Sequence, residues 1–261
     1  MKEKLLTLII AVFLFLPLTV NAEPTSTIVK LNHISDEALQ LVKFHRYQDA
    51  NKLLEYFSTR FLAETSVEEQ VFTMNELRII TVAHSEAIEA TANTEIQHEE
   101  IMNRVTKFRL VVDAISSSHQ PLWTEMEEPI MTVFQNAKEA VHNGNSVDFH
   151  ANFNSFLSLY EMIYPSLKID LSREQIQRLD AKVNYIDKYR PQVFAKEVNQ
   201  QELDALGNQL QTIFDDMTED EADPSLWWVI ISTGSTIILT LSYVGWRKFI
   251  GHKEQKKARK N

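Results

Sequence analysis

The chain has 261 residues, with 26 Lys+Arg against 36 Asp+Glu, 44% hydrophobic residues, 5 Gly, 7 Pro and no Cys. Without cysteine, disulfide scaffolds, Cys-ligated zinc or iron–sulfur centres, thiol nucleophiles and thioether-linked lipid anchors are excluded. So little glycine argues against Gly-rich phosphate loops and against a turn-rich all-β domain.

Residues 1–22 open with Lys2 and Lys4, run apolar from Leu5 to Val20 apart from Thr7, Pro17 and Thr19, and close with Val20-Asn21-Ala22. A charged start, a short apolar stretch and an A-x-A-like exit describe a cleavable secretory signal cut after Ala22; the alternative is an uncleaved signal anchor. Residues 23–225 then hold 17 Lys+Arg and 34 Asp+Glu, a formal net of −17. A domain of that charge is repelled by nucleic acid and by anionic lipid, so neither is an expected partner. Only Gly144 and Gly207 fall in this stretch, and long segments carry apolar residues at spacings of 3 and 4. The expected fold is therefore all-α, built of helical hairpins or a bundle.

The first hairpin is expected from Ser35-Asp36-Glu37 through Ala38, Leu41 and Val42, resuming after His45-Arg46 with Tyr47, Ala50, Leu53, Leu54 and Phe57. This spacing resembles a single tetratricopeptide-type pair, in which small residues let two helices approach closely. Glu37 stands where that repeat carries a large apolar residue, and no repeat follows at a fixed period, which favours an ordinary hairpin. Ser66-Val67-Glu68-Glu69 reads as a capping box opening a helix to about Ala92, and Thr94-Glu95-Ile96-Gln97 as a second. The helix after the second box carries Ile101, Val105, Phe108, Val112 and Ile115 as a packing seam. Residues 116–121 form the best interior linker and mark a candidate subdivision of the domain.

Beyond the linker, a helix with Leu122, Met126, Ile130, Phe134, Ala137 and Val141 ends at His142-Asn143-Gly144, with Pro129 kinking or beginning it. The next carries Phe149, Phe153, Phe156, Leu157, Tyr160 and Ile163 before Pro165, a stripe that reads as core. Ser172-Arg173-Glu174-Gln175 caps another helix, interrupted at Pro191, and a last one is expected over about 193–217. The acidic stretch 215–223 leads to the membrane, extended by its own repulsion.

Residues 226–246 contain no charge, and at ~1.5 Å rise per residue they span about 30 Å, a single transmembrane helix. Trp227 and Trp228 at its start and Tyr243 and Trp246 at its end sit where aromatic belts form, with Arg247 and Lys248 just beyond. Residues 247–261 carry seven Lys+Arg, so the positive-inside rule places this tail in the cytoplasm and the helical domain outside. Ser232, Thr233, Gly234, Ser235 and Thr236 form a small polar run within the span. The run reads either as a contact face for another membrane helix or as hydroxyls bonded to their own helix carbonyls.

Eight histidines call for a metal search. Glu95-x-x-His98 and Glu139-x-x-His142 match the one-turn spacing of di-iron helical bundles. His98 extends the Ile101/Val105/Phe108 seam, whereas Glu139 lies nearly opposite Ala137 and Val141, and His142 sits in a helix cap, so convergence is not expected. His84 and Glu86 are two apart on a helix and read as a solvated pair, and His45 and His150, without a visible partner, as surface or hairpin packing. No His-Glu-x-x-His, Gly-x-Ser-x-Gly or phosphate loop occurs, so no catalytic residue, metal or cofactor is assigned.

The segment Pro224-Ser225-Leu226-Trp227-Trp228-Val229-Ile230, continuing through Leu241-Ser242-Tyr243-Val244-Gly245-Trp246-Arg247-Lys248, resembles the YpjB family of sporulation-associated proteins of Bacillus-type bacteria. The resemblance covers the whole layout and implies an integral membrane protein of endospore formers with no catalytic residue to carry over. The sequence thus points to a non-enzymatic single-pass protein whose extracytoplasmic helical domain engages a membrane or exported protein. The alternatives are an anchored metal-dependent enzyme using Glu95 and His98, or a small-ligand sensor with grooves between helices.

Overall fold

The computed structural model describes residues 27–65, 72–117, 120–193, 197–218, 230–238, 240–246 and 248. The signal segment 1–22 lies outside them, as do 219–229 and most of the basic tail. The described residues are helical and contain no strand. They divide into a unit reaching Leu210 and a second from Gln211 onward.

The first helix, α1 (Thr27–Lys43), begins well before the expected start at Ser35. Leu31 and Ile34 continue the buried stripe of Ala38, Leu39 and Val42 upstream, and Ser35 Oγ donates to the Asn32 carbonyl at 2.7 Å, a bond made inside a helix rather than at its cap. At its end the Arg46 N–H bonds the Leu41 carbonyl and the His45 N–H that of Val42, both at 2.9 Å. This is the Schellman pattern, and it places His45 in the left-handed position at φ 60°, where glycine is the usual occupant. Helix α2 (Tyr47–Thr65) then packs on α1, with Ala38 and Ala50 both fully buried.

The Ser66 box lies outside the described residues. Helix α3 (Met74–Ala92) is instead opened by Thr73 and Glu76: Thr73 Oγ1 accepts from the Glu76 N–H at 3.2 Å, and the Thr73 N–H donates to Glu76 Oε2 at 2.6 Å. The expected Thr94–Gln97 box is not formed. Asn93 Oδ1 accepts from the Glu95 N–H at 2.8 Å, which holds this stretch as a turn, and α4 (His98–Ser116) starts three residues later with Gln97 as an uncapped N-cap. Of the α4 seam, Ile101, Val105, Phe108 and Val112 are buried and Ile115 is half-buried, and α4 packs against both α1 and α3.

Across the linker, Leu122–Met126 forms a 3-10 turn and α5 (Glu127–His142) follows, with Pro129 in its first turn. An N–H is free there in any helix, so Pro129 begins α5 without kinking it. The helix ends at Asn143 and Gly144, the latter at φ 67°. Helix α6 (Ser146–Asp170) continues past Pro165 rather than stopping before it. The proline frees only the Glu161 carbonyl, on an exposed residue that water can serve, while buried Ile163, Ser166 and Leu167 hold the helix on the core. Its stripe of Phe149, Phe153, Phe156 and Tyr160 is buried as expected, with Phe134 of α5 5.0 Å from Phe156 between ring centroids. Helix α7 (Arg173–Lys188) carries the expected Ser172/Gln175 capping box, and the Tyr160 and Tyr164 hydroxyls of α6 both donate to its Asp180. A single turn, α8 (Arg190–Val193), precedes α9 (Glu197–Thr218).

Two features tie the helices on either side of the linker together. Helix α4 packs against α6. Beside this contact Arg109, 8% exposed, donates to Asn32 at 2.6 Å and to Asp113 at 3.3 Å, and Asp113 accepts the Leu122 N–H at 2.7 Å. Trp123, fully buried, donates from Nε1 to Asp170 Oδ2 at 2.6 Å.

Gly207 of α9 is fixed by a close approach. A Cβ there would lie 2.9 Å from Cε1 of the buried Phe134 ring. Alanine gains about 1 kcal/mol of helix propensity over glycine but must displace a core ring, which costs about 1–3 kcal/mol. Gly207→Ala is therefore expected to lower the melting temperature, and a rise would show that the ring moves freely.

Candidate functional site

The residues singled out in the sequence scatter. His98 opens α4, and its ring stacks on that of His45 with centroids 4.1 Å apart and planes within 10°. The Tyr47 hydroxyl lies 2.9 Å from His98 Nδ1. The α1–α2 corner, the start of α2 and the start of α4 are joined by these three side chains, and the stack supports the left-handed conformation of His45. Glu95 lies exposed in the turn before α4, so it does not share a helical turn with His98. Glu139 and His142 stand at the end of α5, where they line a polar groove of about 490 Å³ with Gln200 and Asp204 of α9. Among the described residues no three His, Asp or Glu side chains converge as a metal site.

His84 is not a solvated partner of Glu86. It lies against Phe57 and Phe108, and its Nε2 is 2.8 Å from the Leu54 carbonyl. Burial pushes its pKa below the usual histidine value, against the opposing pull of the Leu54 carbonyl, so Nε2–H is the donor of a neutral ring. Glu86 instead accepts from Lys107 of α4 at 2.9 Å.

That ion pair borders a groove which sequence spacing did not reveal, because its walls come from α3, α4 and α6. The floor is apolar, formed by Ile79, Val82 and Ala83 of α3 and Pro165 of α6. The rim carries Arg78, Glu86, Lys107 and Lys168, and the open volume is about 220 Å³. Val82 is 54% exposed, and the Lys168 ammonium lies 5.2 Å over the Tyr164 ring. Neither Arg78 nor Lys168 is in an ion pair among the described residues. The Tyr164 hydroxyl donates to Asp180 Oδ2 at 2.7 Å, and burial together with that carboxylate pushes its pKa up to about 12. The phenol thus remains a neutral platform for Lys168 at physiological pH. Another groove, of about 700 Å³ between α2 and the end of α3, is lined by polar and charged residues such as Arg46, Asp49, Lys52 and Glu55.

The unit from Gln211 onward contains helical residues 230–238, 240–246 and 248. Ile230, Ile231, Ile237, Ile238, Leu241, Tyr243, Val244 and Trp246 are all more than half exposed. Among the described residues no helix is long and apolar enough to cross a membrane. Residues 226–229, 239 and 247 of the expected span and its flank, and with them Trp227, Trp228 and Arg247, lie outside the described residues. Within the small polar run, Thr236 Oγ1 donates to the Ser232 carbonyl at 2.9 Å, and Thr240 repeats the bond to Thr236 one turn on. At Thr236 this is the back-bonded arrangement; Ser232, Gly234 and Ser235 lie along the same stretch, and a Cβ at Gly234 would meet nothing within 4 Å.

Comparison with known proteins gives one consistent result. A family model described as Sporulation protein YpjB matches residues 28–258. A protein of Bacillus subtilis (strain 168), described as uncharacterized protein YpjB, is 34% identical over 260 residues, covering 99% of this chain and 98% of the relative. No solved structure matches.

Proposed function

The chain belongs to the YpjB family of sporulation proteins, and from that premise we propose that it works as a membrane-tethered interaction module in spore formation. The observation that carries the tether is the run of exposed apolar side chains from Ile230 to Trp246. Exposed apolar residues on every turn of a helix are costly in water and are what a bilayer covers. The uncharged sequence 226–246 has the length of a span, Trp246 and Tyr243 suit its interface, and Lys248 begins a basic tail suited to the cytoplasmic side. An extracytoplasmic position of residues 23–225 follows from that orientation and from the signal-like start of the chain.

Interaction rather than catalysis is favoured by what the helices do with their chemical groups. His84 is neutral and half-buried against phenylalanines, His98 is engaged by His45 and Tyr47, and Arg109 and Asp113 are paired.

The absence of native cysteine makes the topology directly measurable. Single cysteines are introduced by Asn143→Cys in the helical domain and Lys257→Cys in the tail, and sporulating cells are treated with a membrane-impermeant maleimide. Labelling of the first in intact cells and of the second only after permeabilisation is expected. The reverse pattern, or release of the chain by alkaline carbonate, would overturn the tethered reading. Removal of residues 23–225 with the anchor retained is expected to lower spore yield as far as complete deletion does.

A further inference from the structure

We infer that the groove between α3, α4 and α6 receives a short acidic segment of a partner protein. One apolar side chain sits on the Ile79, Val82 and Pro165 floor, with carboxylates on either side meeting Arg78 and Lys168. This rests on the interaction reading above and adds the partner's chemistry.

Size decides the first step. Sites for small molecules occupy about 300–1,000 Å³, whereas this groove offers about 220 Å³ over an apolar floor. It suits one branched apolar side chain presented by a chain passing across the surface. The larger grooves on the domain, lined by Lys138, Glu139 and Asp204 or by Arg46, Asp49 and Glu55, are walled mostly by polar and charged residues of both signs.

Charge decides the second. Residues 23–225 carry twice as many acids as bases, yet three cations stand around this one apolar patch. Glu86 neutralises Lys107, while Arg78 and Lys168 have no carboxylate partner among the described residues. Lys168 is also held over the Tyr164 ring, which places its ammonium before any ligand arrives and reduces the ordering cost of binding.

Screening decides the third. At physiological ionic strength charges are felt over about 8 Å, so the rim cations act at contact. Any broad anionic surface, such as a bilayer or an acidic globular face, must also come close to the rest of a domain whose net charge is −17. A short segment meets the two cations alone, and the apolar floor requires a hydrophobic residue between its acids.

The test uses the full chain in nanodiscs of neutral lipid and a fluorescein-labelled peptide, Gly-Ser-Glu-Asp-Leu-Asp-Glu-Ser-Gly, read by fluorescence anisotropy. The double variant Arg78→Glu/Lys168→Glu is expected to weaken binding about tenfold, through the loss of both charge contacts at the rim. Replacing the peptide leucine by serine, or Val82 by aspartate, is expected to weaken it comparably. Arg78 is exposed and Lys168 half-buried, so Arg78→Gln/Lys168→Gln, checked by its melting curve, gives the same comparison without charge reversal. Equal binding of a peptide with lysines in place of its acids, or binding unchanged in both double variants, would overturn the inference. Binding to anionic vesicles but to no peptide would overturn it too, in favour of a lipid headgroup. None of these results touches the cysteine-labelling pattern, so failure of the acidic-partner inference and failure of the tethered module remain distinguishable.

Discussion

Arg109→Leu will lower the unfolding free energy by about 3–5 kcal/mol, the cost of removing one partner from a buried charge pair. The residue lies almost out of contact with solvent, and its guanidinium donates to Asn32 and Asp36 of α1 and to Asp113 on its own helix. Asp113 is buried as well, and its other oxygen accepts the Leu122 N–H, the first residue after the linker. Leucine fills part of the space yet leaves the buried carboxylate without its cation and the half-buried Asn32 without its donor. Arg109→Lys keeps the charge but not the planar fork that reaches Asp36 through Nε while Nη1 serves Asn32 and Asp113, so an intermediate loss is expected. Urea denaturation of the detergent-solubilised chain, followed by circular dichroism, checks both. A loss below about 1 kcal/mol for the leucine variant would mean that Asp113 is hydrated, as an exposed pair would be.

This network also shows where sequence reading succeeds and where it stops. The all-α class, the α4 seam and the phenylalanine stripe of α6 were legible because 3-and-4 spacing reports burial directly, and Ile101, Phe108, Phe153 and Phe156 are in the core. The Ser172/Gln175 box and the Gly144 end of α5 were legible because caps are local. The start of α4 was misread for an equally local reason, since a turn bond from Asn93 to the Glu95 N–H competed with the expected cap and prevailed. Residues joined across helices left no periodic trace. Nothing in the spacing of His45 and His98 announces a stack, and nothing places Arg78 beside Lys168, 90 positions away, at the edge of one groove. Pro165 illustrates the same limit: propensity ends a helix there, and tertiary burial on both sides of it carries the helix through.

Trp123→Ala is expected to cost about 3–5 kcal/mol, the range for removing a large buried aromatic ring, and to cost more at neutral pH than in mild acid. The second part follows from Asp170. Its carboxyl pKa is raised to about 6, chiefly by burial and further by the charge of Asp113, while the hydrogen bond from Trp123 Nε1 pulls it down. The native value stands above that of the unfolded chain, so the folded state holds this proton more tightly. The contribution of Asp170 to stability is accordingly greatest below about pH 4, falls as pH rises through the native pKa, and stays lower above it. Asp170→Asn removes the buried charge and retains an oxygen to accept from the indole. It should therefore stabilise the chain by about 1–2 kcal/mol at pH 7.5, after allowance for partial solvent access, and leave it unchanged at pH 4. Without the indole N–H the carboxylate is less well supported, so the Trp123→Ala loss should grow between those two pH values, and should stop growing when Asp170→Asn is added. Thermal unfolding of the three variants at both pH values measures this coupling. A Trp123→Ala loss independent of pH would assign the whole effect to the cavity and none to the indole–carboxylate bond.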